Sequence, residues 1–275
     1  MHVTESTYGM ALSNAWSDEE RRLVSAEELF DPTTFRHLGT VGISAGRACL
    51  EVGAGAGSVA RFLADKVGPT GSVLVTDVDT RLLHGLENLP NVEVRVHDIC
   101  TDPLPEQFDI IHARLVLQHL PDRLVVLKKL VDALRPDGWM LIEDTDLSPG
   151  RHLPAARQFV VPKRLRSHYR RLMHAVDILS ESTGQDPEFG RELPAHLVEA
   201  GLVDVDAEVS SRLITGGSSR SWFFTLSLHE GGAALVATGA LAQRELDELI
   251  DAFETSTSGL VMNVPMVSAW GRRQA

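Results

Sequence analysis

The stretch CLEVGAGAGSVARFLADKVG, residues 49–68, limits the possible folds more than any other part of the chain. An apolar run ends in Glu51, glycines follow at 53, 55 and 57, and an amphipathic run begins immediately after them. This reads as a strand feeding a glycine turn and then a helix. Glycine enters left-handed backbone angles without steric cost and lets a ligand approach bare main chain. The first N–H groups of the following helix point toward whatever occupies such a turn. The feature therefore predicts an α/β domain whose ligand lies against Gly53, Gly55 and Gly57.

The rest of the chain fits that frame. ACLEV, SVLVTDV, VEVRVHD, FDIIHA and WMLIED are short β-rich runs. Between them lie the helical patterns GSVARFLADKV, DTRLLHGLENL and PDRLVVLKKLVDALR, with a shorter connection before FDIIHA. Strands alternating with helices imply right-handed crossovers and a doubly wound, mostly parallel sheet. Before the core, SDEERRLVSAEELF and DPTTFRHLGTVGI read as two helices, the first capped by Ser17 and the second by Asp31 with Pro32 at its first position. Helical patterns after residue 150 and the alternating runs LVDVDAEVSSRLI and VMNVPMVSAWGR complete the chain. The expected organisation is a helical cap over 1–45, a ligand-binding core over 46–150, a helical insertion forming an acceptor pocket over 151–200, and the end of the sheet with its helices over 201–275.

Charge and cysteine content narrow the partners. A net charge of -12 argues against a phosphate-backbone partner, which needs a concentrated basic face. Lys163, Arg164, Arg166, Arg170 and Arg171 are the one basic cluster, and their spacing is that of a solvated helix face. Two cysteines, Cys49 and Cys100, are too few for a disulfide framework, and Cys49 lies in an apolar run that suits a buried thiol. No apolar run approaches a membrane span and the N-terminus lacks a signal-peptide pattern, so a cytoplasmic protein is expected.

Spacing separates the possible ligands. The dinucleotide fingerprint needs a third glycine where this chain has Ser58, and it gives no role to an acid at Glu51. The second strand ends in Asp77, where an acid can accept both hydroxyls of a ribose. The third runs into HDI, with Asp98 and Ile99 placed to reach an adenine amino group and cover its ring, and the fourth opens through Ala113 and Arg114 into RLVLQHLPD.

With these motifs in hand, the chain resembles the class I S-adenosylmethionine-dependent methyltransferases, over about residues 47–146. LEVGAGAGSVA is similar to their acid–x–G–x–G–x–G signature, and FDIIHARLVLQHLPD and LRPDGWMLIED to the downstream motifs of the branch acting on quinone precursors and natural products. The usual RPGG reads RPDG here, with Asp137 at its third position. The resemblance implies a Rossmann-like seven-stranded sheet with its last strand antiparallel. It also implies that S-adenosylmethionine binds Gly53, Ala54, Gly55, Gly57 and Ser58, with Glu51 supporting the turn, Asp77 on the ribose, Val78 beside the adenine, and Asp98 and Ile99 around it. S-adenosylhomocysteine is the implied product. Tyr8 in the N-terminal segment is similar to a tyrosine that closes over the methionine carboxylate in this family, and Arg114 either meets that carboxylate or caps the next helix.

Methyl transfer requires alignment and exclusion of water, and a base only for a protonated acceptor. His119 is the first candidate for a base or acceptor-orienting group, with a packing role as the alternative. Glu143, Asp144 and Asp146 are expected at the mouth of the pocket, with Asp144 a second candidate base; no Asp-Asn pair follows, so no metal is expected. Trp16, His152, His168, Tyr169 and Trp222 are candidates for walls of the acceptor site. The expected function is methylation of O, N or C of a small molecule by a monomer or homodimer without nucleic-acid or membrane partners. Two alternatives are a same-fold enzyme that binds the cofactor without spending its methyl, and a non-catalytic sensor of the cofactor.

Overall fold

The computed structural model describes residues 17–104, 107–147, 161–255 and 261–275. The chain divides into two units. A sheet unit comprises Phe30–Asp146, Glu188–Ser210 and Pro265–Ala275, and a helical unit comprises Met1–Leu29, Leu147–Pro187 and Ser211–Val264. This division interleaves along the chain where the sequence suggested contiguous segments: residues 188–200 fall with the sheet and 211–264 with the helices.

In the sheet unit, β1 (Ala48–Val52), β2 (Ser72–Asp77), β3 (Val92–Val96), β4 (Phe108–Arg114) and β5 (Leu134–Thr145) form parallel pairs, and β7 (Val261–Arg273) runs antiparallel to β5. With β6 (Leu202–Thr215) the order is β3-β2-β1-β4-β5-β7-β6. The order reverses between β1 and β4, which opens a crevice at their carboxyl ends where such sheets bind ligands. Side chains alternate between the faces. Cys49, Val73, Val75, Ile110 and Leu141 pack on one face with α1 (Glu19–Thr40) and α2 (Ser58–Val67). Leu50, Val52, Ile111, Ala113, Met140 and Ile142 pack on the other with α3 (Arg123–Asp132) and α5 (Leu193–Glu199).

Three local readings are corrected. The two expected N-terminal helices are one, α1, with Pro32 inside it. Proline removes one helical hydrogen bond, but Phe30 and Leu38 are buried on either side of it and Phe35 stacks on Phe62 at 4.1 Å. That packing holds the helix through the proline, and Asp31 is freed from capping. The helix expected over DTRLLHGLENL is instead two short turns, Thr80–Leu82 and Leu86–Asn88, separated by Gly85 at φ 85. β5 starts at Leu134 and not at Trp139; its register jumps between Phe108↔Leu134 and Ile110↔Trp139, and Asp137 takes φ 62 in the irregularity.

The helical unit contains α4 (Arg166–Thr183), α6 (Trp222–Ala237) and α7 (Gln243–Glu254), packed through Leu172, Ala175, Leu235, Leu246, Leu249 and Phe253. The sequence gives no periodic signal for α6, which is apolar around most of its circumference. Among the described residues no helix is long and apolar enough to cross a membrane.

Burial pushes the Cys49 thiol up to about 12, while Cys100 is exposed. A thiol reagent is therefore expected to label Cys100 in the native protein and Cys49 only after denaturation, as mass mapping of the labelled peptides would check. Rapid native labelling of Cys49 contradicts its placement in the core.

Candidate active site

The glycine turn follows β1, with Gly53, Gly55 and Gly57 at φ 68, 58 and 90, all left-handed. A ligand was the expected reason for the missing side chains, and the structure supplies another for two of them. A Cβ on Gly53 would stand 2.4 Å from Val116 Cγ2, and one on Gly57 would stand 2.9 Å from Leu86 Cδ1. The chain's own side chains fill those spaces. The N–H groups of Gly53 and Ala54 both donate to Thr76 O, at 2.8 and 3.2 Å, and Gly55 N donates to Asp77 Oδ2 at 3.0 Å. Helix α2 starts at Ser58 without a side-chain cap or an acid in its first turn.

Asp77 ends β2 and is half-buried. Its second oxygen accepts from Asp79 N at 3.0 Å, and burial raises its carboxyl above the ordinary range despite these bonds. Each oxygen thus takes one backbone N–H and keeps lone-pair capacity, which fits a vicinal diol. Val78 beside it is also half-buried. Asp98 Oδ1 accepts from Cys100 N at 2.9 Å, and its own N–H donates to Asp102, which fixes the turn that buries Ile99. These positions, with Ala113 and Arg114 at the end of β4, lie at the carboxyl ends of β1, β2, β3 and β4. The residues present fit a ribose–adenine group at the crevice.

Glu51 points elsewhere than toward the turn. It pairs with His112, its Cα partner on β4, through Nδ1 at 2.7 Å, and His112 Nε2 lies 3.3 Å from Glu143 on β5. Glu143 also accepts from Thr34 and Ser268, both at 2.5 Å, and lies 3.4 Å from His37 Nδ1. All six side chains are buried. Arg114 donates to Thr34 Oγ1 at 2.8 Å and to Asp31 Oδ1 at 2.9 Å, and Asp31 accepts from Ser58 Oγ at 3.0 Å. Arg114 is therefore committed to α1, which neither expected role foresaw.

The charges in this network hold one another. Burial opposes a charged His112, yet Glu51 and Glu143 on its two nitrogens raise it to about 9. Burial likewise opposes a charged Glu143, but hydrogen bonds from His112 and His37 and the nearby Arg114 hold it well below the usual carboxylate range. Burial pushes Glu51 up, against the pull of His112. An imidazolium between two carboxylates thus sits inside the sheet face that carries α1. Sequence reading missed His112, His37 and Ser268; the available signal was a histidine within an apolar strand adjacent to the strand of an acid.

Glu143 and Asp144 do not lie at an open pocket mouth, because β5 continues through Thr145 and buries both. Asp144 has no exposed surface, and neither oxygen receives a hydrogen bond of normal geometry. Burial raises it well above the usual range, against the nearby amides of Gln118 and Val116 and the Arg123 charge. Burial thus disfavours its charged form. Beside it Gln118 Oε1 accepts from Thr145 N at 2.9 Å and Thr145 Oγ1 at 2.7 Å, so the amide nitrogen faces His119 Nε2 at 3.1 Å. That orientation makes His119 Nε2 the acceptor and places the ring proton on Nδ1. Among the described residues no group of His, Cys, Asp and Glu could hold a metal ion.

The remaining candidates belong to the helical unit or lie outside the described residues. His168 sits 3.2 Å from both Glu245 and Glu248, Tyr169 packs against the helical core, and Trp222 lies under Arg21 at 3.8 Å. Tyr8, Trp16 and His152 fall outside the described residues.

Comparison with known proteins finds similarity to methyltransferases. Residues 50–140 match the sequence profile of a methyltransferase domain. Over 151 residues the chain is 35% identical to methyltransferase str2 of Strobilurus tenacellus, covering 54% of this chain and 50% of that protein. Over 152 residues it is 26% identical to a ubiquinone biosynthesis O-methyltransferase of Pseudomonas fluorescens, covering 52% and 63%. The chain thus spans between half and two thirds of the length of these relatives. In fold it is similar to the YcgJ protein of Bacillus subtilis, with a TM-score of 0.56 at 16% identity over 89% of this chain and 99% of that one. It is also similar to a phosphoethanolamine N-methyltransferase 2 of Haemonchus contortus solved with S-adenosyl-L-methionine, with a TM-score of 0.56 at 16% identity over 98% and 60%.

Proposed function

We propose that this chain is a class I S-adenosylmethionine-dependent methyltransferase and that it methylates O, N or C of a small molecule using S-adenosylmethionine. The observation that carries the proposal is Asp77, half-buried at the end of β2 and hydrogen-bonded to the glycine turn at Gly55. When bound, the cofactor supplies an electrophilic methyl: the acceptor's lone pair forms the new bond to carbon, the carbon–sulfur pair stays on sulfur as S-adenosylhomocysteine forms, and an acceptor proton leaves to a base or water.

The residues of the chain bind and align. Asp77 holds the ribose hydroxyls, Asp98 and Ile99 take the adenine with Val78, and the turn from Gly53 to Gly57 with Ala54 and Ser58 carries the methionyl part. His119, held by Gln118 through Nε2, orients the acceptor. Asp144 is fully enclosed, which leaves His119 as the side chain placed to meet the acceptor. The names of the relatives, which include an O-methyltransferase of ubiquinone biosynthesis, support a small-molecule acceptor and favour oxygen. The net charge of -12 supports a protein without a nucleic-acid partner, which we place in the cytoplasm as a monomer or homodimer.

Calorimetric titration of the full chain with S-adenosylmethionine and S-adenosylhomocysteine tests the reading. Micromolar binding is expected, weakened roughly a hundredfold in a folded Asp77→Ala variant, because two hydrogen bonds to a charged acceptor are lost. Failure of the wild-type chain to bind either compound, or undiminished binding by the variant, overturns it.

A further inference from the structure

The glycine turn is bracketed by one continuous run of hydrogen bonds that passes through α1. At the entrance to the turn, Glu51 is held twice: its carbonyl accepts from Thr76 Oγ1 at 3.0 Å and its carboxylate pairs with His112. From His112 the run continues through Glu143, Thr34 and Arg114 to Asp31. Asp31 then receives the hydroxyl of Ser58, the residue at the exit of the turn. Every member belongs to the sheet unit. Three left-handed glycines make a segment that is intrinsically free to rearrange, so its shape must be imposed from outside. Side-chain networks in a poorly solvated interior are rigid when every member is satisfied.

We propose that His112 and Asp31 are positioning residues of the cofactor site, acting on opposite ends of the glycine turn through Glu51 and Ser58. The proposal rests on the cofactor reading above for the identity of the ligand, but not for the existence of the clamp. Neither residue lies in the turn. Each contributes by keeping the bonds of Gly53 and Ala54 to Thr76, and of Gly55 to Asp77, formed before the ligand arrives. A run that is continuous has a further property: once broken at one place, a second break adds little.

That property supplies the test. Affinity for S-adenosylhomocysteine is measured for the full chain, for His112→Gln, for Asp31→Ala and for the double variant, each checked by its melting transition. Each single change is expected to weaken binding about tenfold, the scale of one charge-assisted hydrogen bond. The double variant is expected to bind about as weakly as either single one, whereas independent roles would multiply to about a hundredfold. Hydrogen exchange of residues 53–58 in the ligand-free proteins is the second readout, expected to rise in both single variants while exchange in α7 stays unchanged. Thr34→Val breaks the same run with little change of shape and replaces His112→Gln if that variant does not fold. Multiplicative losses, or unaltered exchange over 53–58, overturn the clamp. Absence of ligand binding by the wild-type chain overturns the cofactor reading instead, and the exchange readout still decides the clamp.

Discussion

Replacing His112 by leucine is expected to lower the unfolding free energy by about 3–5 kcal/mol at pH 7, since removing one partner of a buried ion pair leaves uncompensated charge. Here the charge left behind is double, because His112 stands between Glu51 at 2.7 Å and Glu143 at 3.3 Å with all three side chains buried. The pH dependence separates this cause from simple loss of packing. In the wild type His112 is raised to about 9 from an ordinary value of 6.5, and that difference corresponds to about 3 kcal/mol. A raised group stabilises the fold fully below its unfolded value. The contribution should therefore be complete below about 6.5 and lost as pH rises through about 9. Glu143 is shifted down, so its contribution is present above the ordinary carboxylate range and fades as pH falls below it.

The leucine variant should behave in the opposite sense on the acid side. Its two stranded carboxylates cost least when protonated, so it should gain stability on moving from pH 7 toward pH 5, and it should lose the alkaline decline. Urea titrations at three pH values would measure both trends. A variant that parallels the wild type at every pH, offset by a constant, would assign the loss to packing alone and remove the charge from the account.

The parts of the site written locally in the sequence are the ones that reading could reach. The turn, Ser58 and Asp77 are each fixed by a few neighbouring residues and by the length of one strand–helix–strand unit, and all appear at the crevice. Pairings across strands are different. His112 meets Glu51 only because β1 and β4 are adjacent in one register, and adjacent strands here are distant in sequence. Glu143 and Asp144 are consecutive acids with the same apparent meaning, yet alternation along β5 sends them to opposite faces. One becomes the anion of a network and the other an enclosed carboxyl whose charged form burial disfavours. Pro32 misled for a related reason. Local chemistry marked a helix start, and the burial of Phe30 and Leu38 carried the helix through it.

The same contrast between local and tertiary causes bears on Gly53. Gly53→Ala is expected to destabilise the fold by about 2–4 kcal/mol, the sum of a left-handed alanine and an overpacked contact. The first cause is the backbone, at φ 68; the second is the Val116 methyl 2.4 Å from where the new Cβ would stand. Gly85 provides the control, because its φ of +85 imposes the first cost while nothing lies within 4 Å of its Cβ position. Gly85→Ala should therefore cost only about 1–2 kcal/mol. Pairing Gly53→Ala with Val116→Ala should recover part of the steric loss, so that the double variant is more stable than the two single costs predict. Binding should respond more sharply than stability, because the clash pushes on the two amides that Thr76 holds, at the entrance to the turn. Loss of S-adenosylhomocysteine affinity by about a hundredfold in Gly53→Ala, against little change in Gly85→Ala, is the expected pattern. Equal costs at the two glycines would mean that Val116 yields without resistance, and the bare backbone at Gly53 would then be owed to the ligand after all.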